Sequence, residues 1–170
     1  MRIGILTFHK PINYGAFLQA FALSTQLSNK FKESHVEIID YIAPLEKKKI
    51  FINVLWGVKH YGFLNGIRDL YKINSFNNAY KVLALSQKNH FDDLNDLYKF
   101  IDNTYDLLII GSDAVFNWKQ NGYPTAFIPI YSFKRCKVVS YAASVHGLRY
   151  LDEPKGRIDE CGQSFDKMSL

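Results

Sequence analysis

The chain has 170 residues, of which 48% are hydrophobic and 22% charged, a composition that excludes a disordered protein. The net charge of +5 is modest, and the three lysines at 47–49 stand beside Pro44 in a predicted loop, so we expect no nucleic-acid partner. No apolar run reaches the roughly 18 residues of a membrane span. The chain begins directly in a predicted strand without a signal peptide, which predicts a cytoplasmic protein.

The first predicted element is a strand over residues 2–8, and a helix follows it. The strand breaks at Lys10 and Pro11, because proline cannot continue a ladder. Asn13 is a favourable N-cap for the helix, since its side-chain oxygen can accept from a free backbone N–H of the first turn. One arc of about 120° then collects the apolar helix positions. These are Ala16, Phe17, Ala20, Leu23, Leu27 and Phe31.

Three more strands are predicted, over residues 35–41, 105–111 and 137–143. Helices are predicted over 64–71, 75–85, 89–103 and 152–165, and Asp92 or Asp93 would cap the third of these. Residues 42–63 have no clear period, and residues 115–134 form a loop-rich excursion. Strands that alternate with helices are typical of an α/β fold, so we expect one Rossmann-like domain with a parallel sheet and helices on both faces. The strand at 105–111 is predominantly apolar, so it should lie next to a central first strand.

Small and polar residues follow the first, third and fourth of these strands, in residues 9–15, 111–118 and 142–147. In a parallel sheet these loops lie on the same edge, where α/β proteins bind ligands. This convergence predicts a substrate-binding site there. Its candidate residues are Asn13, Tyr14, Gly15, Gly111, Ser112, Asp113, Asn117, Trp118 and Ser144.

Several of these candidates have a structural alternative. Gly15 allows a ligand to approach the backbone, or it serves the helix cap and close packing. Asp113 would bind a sugar hydroxyl or act as a base, or it caps a helical turn. Asn117 and Trp118 would line a sugar site, with the indole as a stacking platform, or Trp118 plugs the edge of the sheet.

Other chemistry is disfavoured by the sequence. Ser144 and His146 would pair as donor and base, but no third partner is visible for a nucleophilic triad. Asp40, at the end of the second strand, favours a turn role over ribose binding, because the G-x-G-x-x-G fingerprint is absent. The five histidines and two cysteines have no metal-ligand spacing, so we expect no metal and no cofactor, and two thiols that are buried or incidental.

Three segments in this order resemble the N-terminal half of the polysaccharide pyruvyl transferase family. They are ILTFHKPINYGAFLQAFAL at 5–23, YDLLIIGSDAVFNW at 105–118 and VVSYAASVHG at 138–147. Two positions differ from the family pattern. Phe116 stands where the second motif usually has tryptophan, and Val145 with His146 stands where the third often has phenylalanine before glycine.

The resemblance implies transfer of a pyruvyl group from phosphoenolpyruvate to a hydroxyl pair of a glycan or lipid-linked sugar. It also implies two Rossmann-like domains similar to those of glycosyltransferase-B enzymes, with the catalytic histidine and phosphate-binding arginine in the second. Residues 1–170 would then be the acceptor-side domain, inactive alone and truncated at Leu170. The alternatives are the acceptor domain of a nucleotide-sugar glycosyltransferase and a non-catalytic binding remnant.

Overall fold

The computed structural model describes residues 1–10, 13–43, 52, 63–147, 149, 159 and 163–164. Their four strands are β1 (Arg2–Leu6), β2 (His35–Ile38), β3 (Leu107–Gly111) and β4 (Lys137–Tyr141). All neighbours pair in parallel, in the order β2-β1-β3-β4. This confirms the predicted sheet, with β1 and β3 side by side at its centre. Each strand is shorter than predicted, because the apolar runs extend past the residues that have a partner strand.

The helices are α1 (Tyr14–Lys30), α2 (Phe63–Ala79), α3 (Leu94–Thr104) and the short α4 (Trp118–Asn121). The predicted caps are confirmed: Asn13 accepts from the first turn of α1, and Asp93 accepts from the first turn of α3. The prediction of two helices over 64–85 was wrong. One helix, α2, runs through most of this segment and ends in a 3-10 turn at Tyr80–Val82.

Helices cover both faces of the sheet, as predicted. Successive strand residues point to opposite faces, so the strands contribute apolar side chains to both. On one face, Ile3, Ile5 and Ile38 pack with residues of α1, α2 and the 3-10 turn. On the other face, Leu6 and Leu108 pack with α3 and with the long segment between β3 and β4. The carboxyl edge of the sheet, where the parallel strands end, therefore stands on a core that is packed from both faces.

The predictions for residues 44–51, 53–62 and most of 148–170 lie outside the described residues, including the helix predicted over 152–165. Within the described part, no helix is long and apolar enough to cross a membrane.

Candidate functional site

The loops after β3 and β4 are joined through Ser144. Its hydroxyl donates to Asp113 Oδ1 at 2.5 Å and accepts from the backbone N–H of Ala114 at 3.1 Å. Its carbonyl accepts from the backbone N–H of Phe116 at 3.1 Å. Ser144 is therefore engaged by the β3 loop through both its side chain and its backbone, and it holds the Asp113 carboxylate in one orientation.

The Asp113 side chain extends into solvent from the loop after β3. Its side chain is 70% exposed, and His146 Nδ1 lies 3.8 Å from Asp113 Oδ2. The carboxylate thus stands between the serine and the histidine, and Ser144 donates to Asp113. In a hydrolase triad the histidine lies between the serine and the acid. Here Ser144 instead donates to the Asp113 carboxylate and fixes it, so the serine is not activated as a nucleophile.

The backbone at this edge is held in unfavourable conformations. Among the described residues, the non-glycine positions with positive φ are Ser112 at 135°, Ala114 at 62°, Ala142 at 51° and His146 at 44°. All four lie in the loops after β3 and β4. Such conformations cost about 1–3 kcal/mol each and cluster at functional sites, where the surrounding structure maintains them.

Asn117 and Trp118, two of the candidates in the β3 loop, have buried side chains. Trp118 is 1% exposed and belongs to the larger hydrophobic core, so its indole fills the space beneath the loop and presents no open stacking face. Asn117 is also buried, and its side-chain amide donates to the carbonyl of His146 at 3.3 Å. Both side chains therefore lie in the interior, and the burial of Trp118 agrees with the packing alternative.

Gly111 has a clear structural reason to be glycine. A Cβ at this position would lie 2.6 Å from the backbone oxygen of Tyr141, on the neighbouring strand β4. Real Cβ atoms do not approach an oxygen so closely, so the close approach of β3 and β4 requires glycine here.

The start of α1 is exposed. Asn13, Tyr14 and Gly15 are all exposed, and Asn13 Oδ1 accepts from the Gly15 N–H at 2.8 Å. A Cβ on Gly15 would meet only that capping oxygen, at 3.2 Å. Gly15 therefore leaves the backbone accessible, and a side chain there would press on the cap.

The β3 loop contacts α1 through a hydrogen bond of Ser112. The hydroxyl of Ser112 lies 3.2 Å from Gln19 Oε1, one turn into the helix. Ser112 itself is buried. The β3 loop thus contacts α1 on one side and the β4 loop on the other.

A second polar cluster at this edge joins β1 to β2. His9 Nε2 lies 3.0 Å from Asp40 Oδ1, and Lys10 Nζ lies 2.6 and 2.8 Å from the two Asp40 oxygens. His9 and Asp40 are buried, and the Asp40 backbone N–H donates to Ser86 Oγ at 2.9 Å. Asp40 is therefore an ion-pairing residue at the end of β2.

The charge state of Asp40 follows from its contacts. Burial alone raises the pKa of this carboxyl, but hydrogen bonds from His9 and Lys10 and the positive charge of Lys10 outweigh burial and lower it below the usual range. Asp40 is therefore ionised at neutral pH.

A model of the polysaccharide pyruvyl transferase family matches residues 13–162. The match covers most of the chain and includes the segments at 105–118 and 138–147. The chain belongs to the polysaccharide pyruvyl transferase family. No curated protein and no solved structure matches the chain. Membership identifies a transferase and implies a glycan acceptor.

In this chain, the sequence pattern did not indicate the paired polar side chains at the ends of the strands. Nothing in the spacing of His9 and Asp40, which lie 31 positions apart, indicates contact. The only available signal was that both follow adjacent strands. Among the described residues, no group of three or more His, Cys, Asp or Glu could hold a metal ion.

Proposed function

We propose that this chain is the acceptor-side domain of a transferase that moves a pyruvyl group from phosphoenolpyruvate onto a sugar of an exopolysaccharide or cell-wall glycan. The family match carries the proposal. The exposed carboxylate of Asp113 is held by Ser144 at the carboxyl edge of the sheet, and it would accept a hydrogen bond from a sugar hydroxyl.

The reaction joins two sugar hydroxyls to C2 of phosphoenolpyruvate. Two C–O bonds form at that carbon, the bond to the phosphate oxygen breaks, and inorganic phosphate leaves. One hydroxyl proton is balanced by the proton gained at C3, which becomes a methyl group, and the other by the proton carried away by phosphate. A carboxylate that accepts a hydrogen bond from a sugar hydroxyl raises the nucleophilicity of that oxygen.

Asp113 fits that role in this chain. Its carboxylate is open to solvent, whereas Ser144 beneath it is fixed by the β3 loop. Asp113 would contact the acceptor, and Ser144 would act as a positioning residue that keeps the carboxylate aimed at the hydroxyl. The start of α1 at Asn13, Tyr14 and Gly15 would border the same cleft, where the exposed backbone admits a ligand.

The test uses the protein expressed from its complete reading frame, with phosphoenolpyruvate and candidate glycans. We expect a pyruvylated glycan and release of phosphate. The 170-residue chain alone should give no turnover, because catalysis needs donor and acceptor held together. Glycosyl transfer from a nucleotide sugar would instead favour the glycosyltransferase alternative and overturn the proposal.

Asp113→Asn in the complete protein should lower kcat/KM roughly a hundredfold or more, the lower range of general-base effects. Ser144→Ala should give a smaller loss, mainly in kcat, with acceptor KM little changed. The matched control is Asp106→Asn at the opposite end of β3, where the carboxylate accepts from the Arg2 backbone N–H and the amide oxygen still can. Equal losses in Asp113→Asn and Asp106→Asn would mean that the effect is structural.

A further inference from the structure

The buried imidazole of His9 has an oxygen at each ring nitrogen. Nδ1 lies 3.2 Å from the carbonyl oxygen of Thr7, and Nε2 lies 3.0 Å from Asp40 Oδ1. A backbone carbonyl and an ionised carboxylate are both acceptors without a proton to donate. A neutral imidazole has one N–H, so it would leave one ring nitrogen facing an oxygen lone pair.

Both contacts are satisfied only when His9 carries a proton on each nitrogen. His9 is 1% exposed, so a poorly matched nitrogen could not turn to water instead. The Asp40 carboxylate is ionised, because Lys10 bonds both of its oxygens. With a proton on both ring nitrogens of His9, the cluster of His9, Lys10 and Asp40 would hold two positive charges and one negative charge.

This excess positive charge would lie at the carboxyl edge of the sheet. His9 and Asp40 are enclosed, whereas the Lys10 side chain is 27% exposed and its ammonium lies on the carboxylate. A net charge of +1 on a partly buried group is stabilised by an anion that docks against it. The residues of the cluster follow β1 and β2, on the side of the sheet where α/β proteins bind their ligands.

We propose that the His9–Lys10–Asp40 cluster is a binding site for an anionic oxygen group of the substrate, a phosphate or carboxylate, with Lys10 as the contacting residue. In this site Asp40 fixes the Lys10 ammonium, and protonated His9 leaves Asp40 unable to neutralise it fully. The hydrogen-bond geometry of His9, Lys10 and Asp40 supports this site, which does not depend on pyruvyl transfer.

The first measurement is the protonation of His9 in the 170-residue chain. Long-range ¹H–¹⁵N NMR at neutral pH, assigned with His9→Gln, should place both ring nitrogens of His9 at the position of protonated nitrogens. An unprotonated ring nitrogen in the native chain would remove the excess charge and overturn the inference.

The second measurement is binding of inorganic phosphate, followed by NMR of the Lys10 and His9 signals. Lys10→Gln should weaken phosphate binding roughly tenfold or more, since a hydrogen bond to a charged group contributes about 1.5–3 kcal/mol. Lys10→Arg should stay within about threefold of the native chain, because it keeps the cation. The control Lys30→Gln removes the same charge at the far end of α1 and should leave binding unchanged.

Competition then distinguishes the sources of the anion. Phosphoenolpyruvate that displaces phosphate identifies the donor, a sugar 1-phosphate that displaces it identifies a phosphorylated acceptor, and displacement by neither overturns the site. Absence of phosphate binding, or equal binding by native chain and Lys10→Gln, would also overturn it. These outcomes are independent of the glycan assay, so the anion site and the proposed function can fail separately.

Discussion

The turn that leads into β4 depends on one carboxylate, that of Asp102 on α3. Its oxygens accept from the backbone N–H groups of Lys134 at 3.0 and 3.1 Å, Arg135 at 2.9 Å and Cys136 at 2.9 Å. Asp102 is buried, and β4 starts at the residue that follows Cys136. We expect Asp102→Ala to destabilise the domain by loosening this entry into the sheet.

The magnitude follows from what each N–H meets after truncation. Lys134 and Arg135 are exposed, so water can replace most of their lost bonds. Cys136 is buried, and its unsatisfied N–H costs about 1–3 kcal/mol. With a smaller contribution from the other two, the free energy of unfolding should fall by about 2–4 kcal/mol. Asp102→Asn keeps one acceptor oxygen and should cost less.

Urea denaturation followed by circular dichroism measures this loss, and its pH dependence tests the mechanism. Burial raises the pKa of Asp102, but the three backbone hydrogen bonds lower it by more, so the folded pKa lies below the unfolded one. The stabilisation is therefore complete above the unfolded pKa of about 3.9, and it is lost as pH falls through the folded pKa. The difference between native chain and Asp102→Ala should shrink on acidification below about pH 4.

The control is Asp92→Asn, whose side chain is 88% exposed and which should change stability by less than about 0.5 kcal/mol. A midpoint for Asp102→Ala equal to that of the control would refute the reasoning. So would a stability difference that stays constant into acid, because the charged hydrogen bonds would then not be its source.

Three further predictions concern the sheet and its edge. Gly111→Ala should destabilise the domain by about 3 kcal/mol or more in thermal unfolding, since its Cβ would lie 2.6 Å from the Tyr141 backbone oxygen; near-native stability would contradict the close approach. Gly15→Val should reduce transferase activity of the complete protein at least about tenfold while costing about 1 kcal/mol in stability, and a loss confined to stability would assign Gly15 to the cap alone. Tyr105→Phe removes the hydroxyl that donates to Glu37 Oε1 at 2.8 Å and should cost about 1–2 kcal/mol by urea titration; an unchanged midpoint would mean that water replaces it.

The candidate site shows where sequence reasoning stops. The three loops at the carboxyl edge were predictable, because they follow strands whose parallel order the alternation of elements indicates. The hydrogen bond between Ser144 and Asp113 was not predictable, since these residues lie 31 positions apart. Trp118 illustrates the same limit: its indole suits both a sugar platform and a core position, and the fold buries it.

The elements that local chemistry controls could be predicted from the sequence. Four apolar runs predict four strands, and Asn13 and Asp93 cap the helices they precede, because burial pattern and capping act within a few residues. Which polar side chains meet depends on the three-dimensional fold. His9 reaches Asp40 because β1 and β2 pair in a register that brings their ends together, and a contact of that kind depends on strand register rather than on any nearby residue.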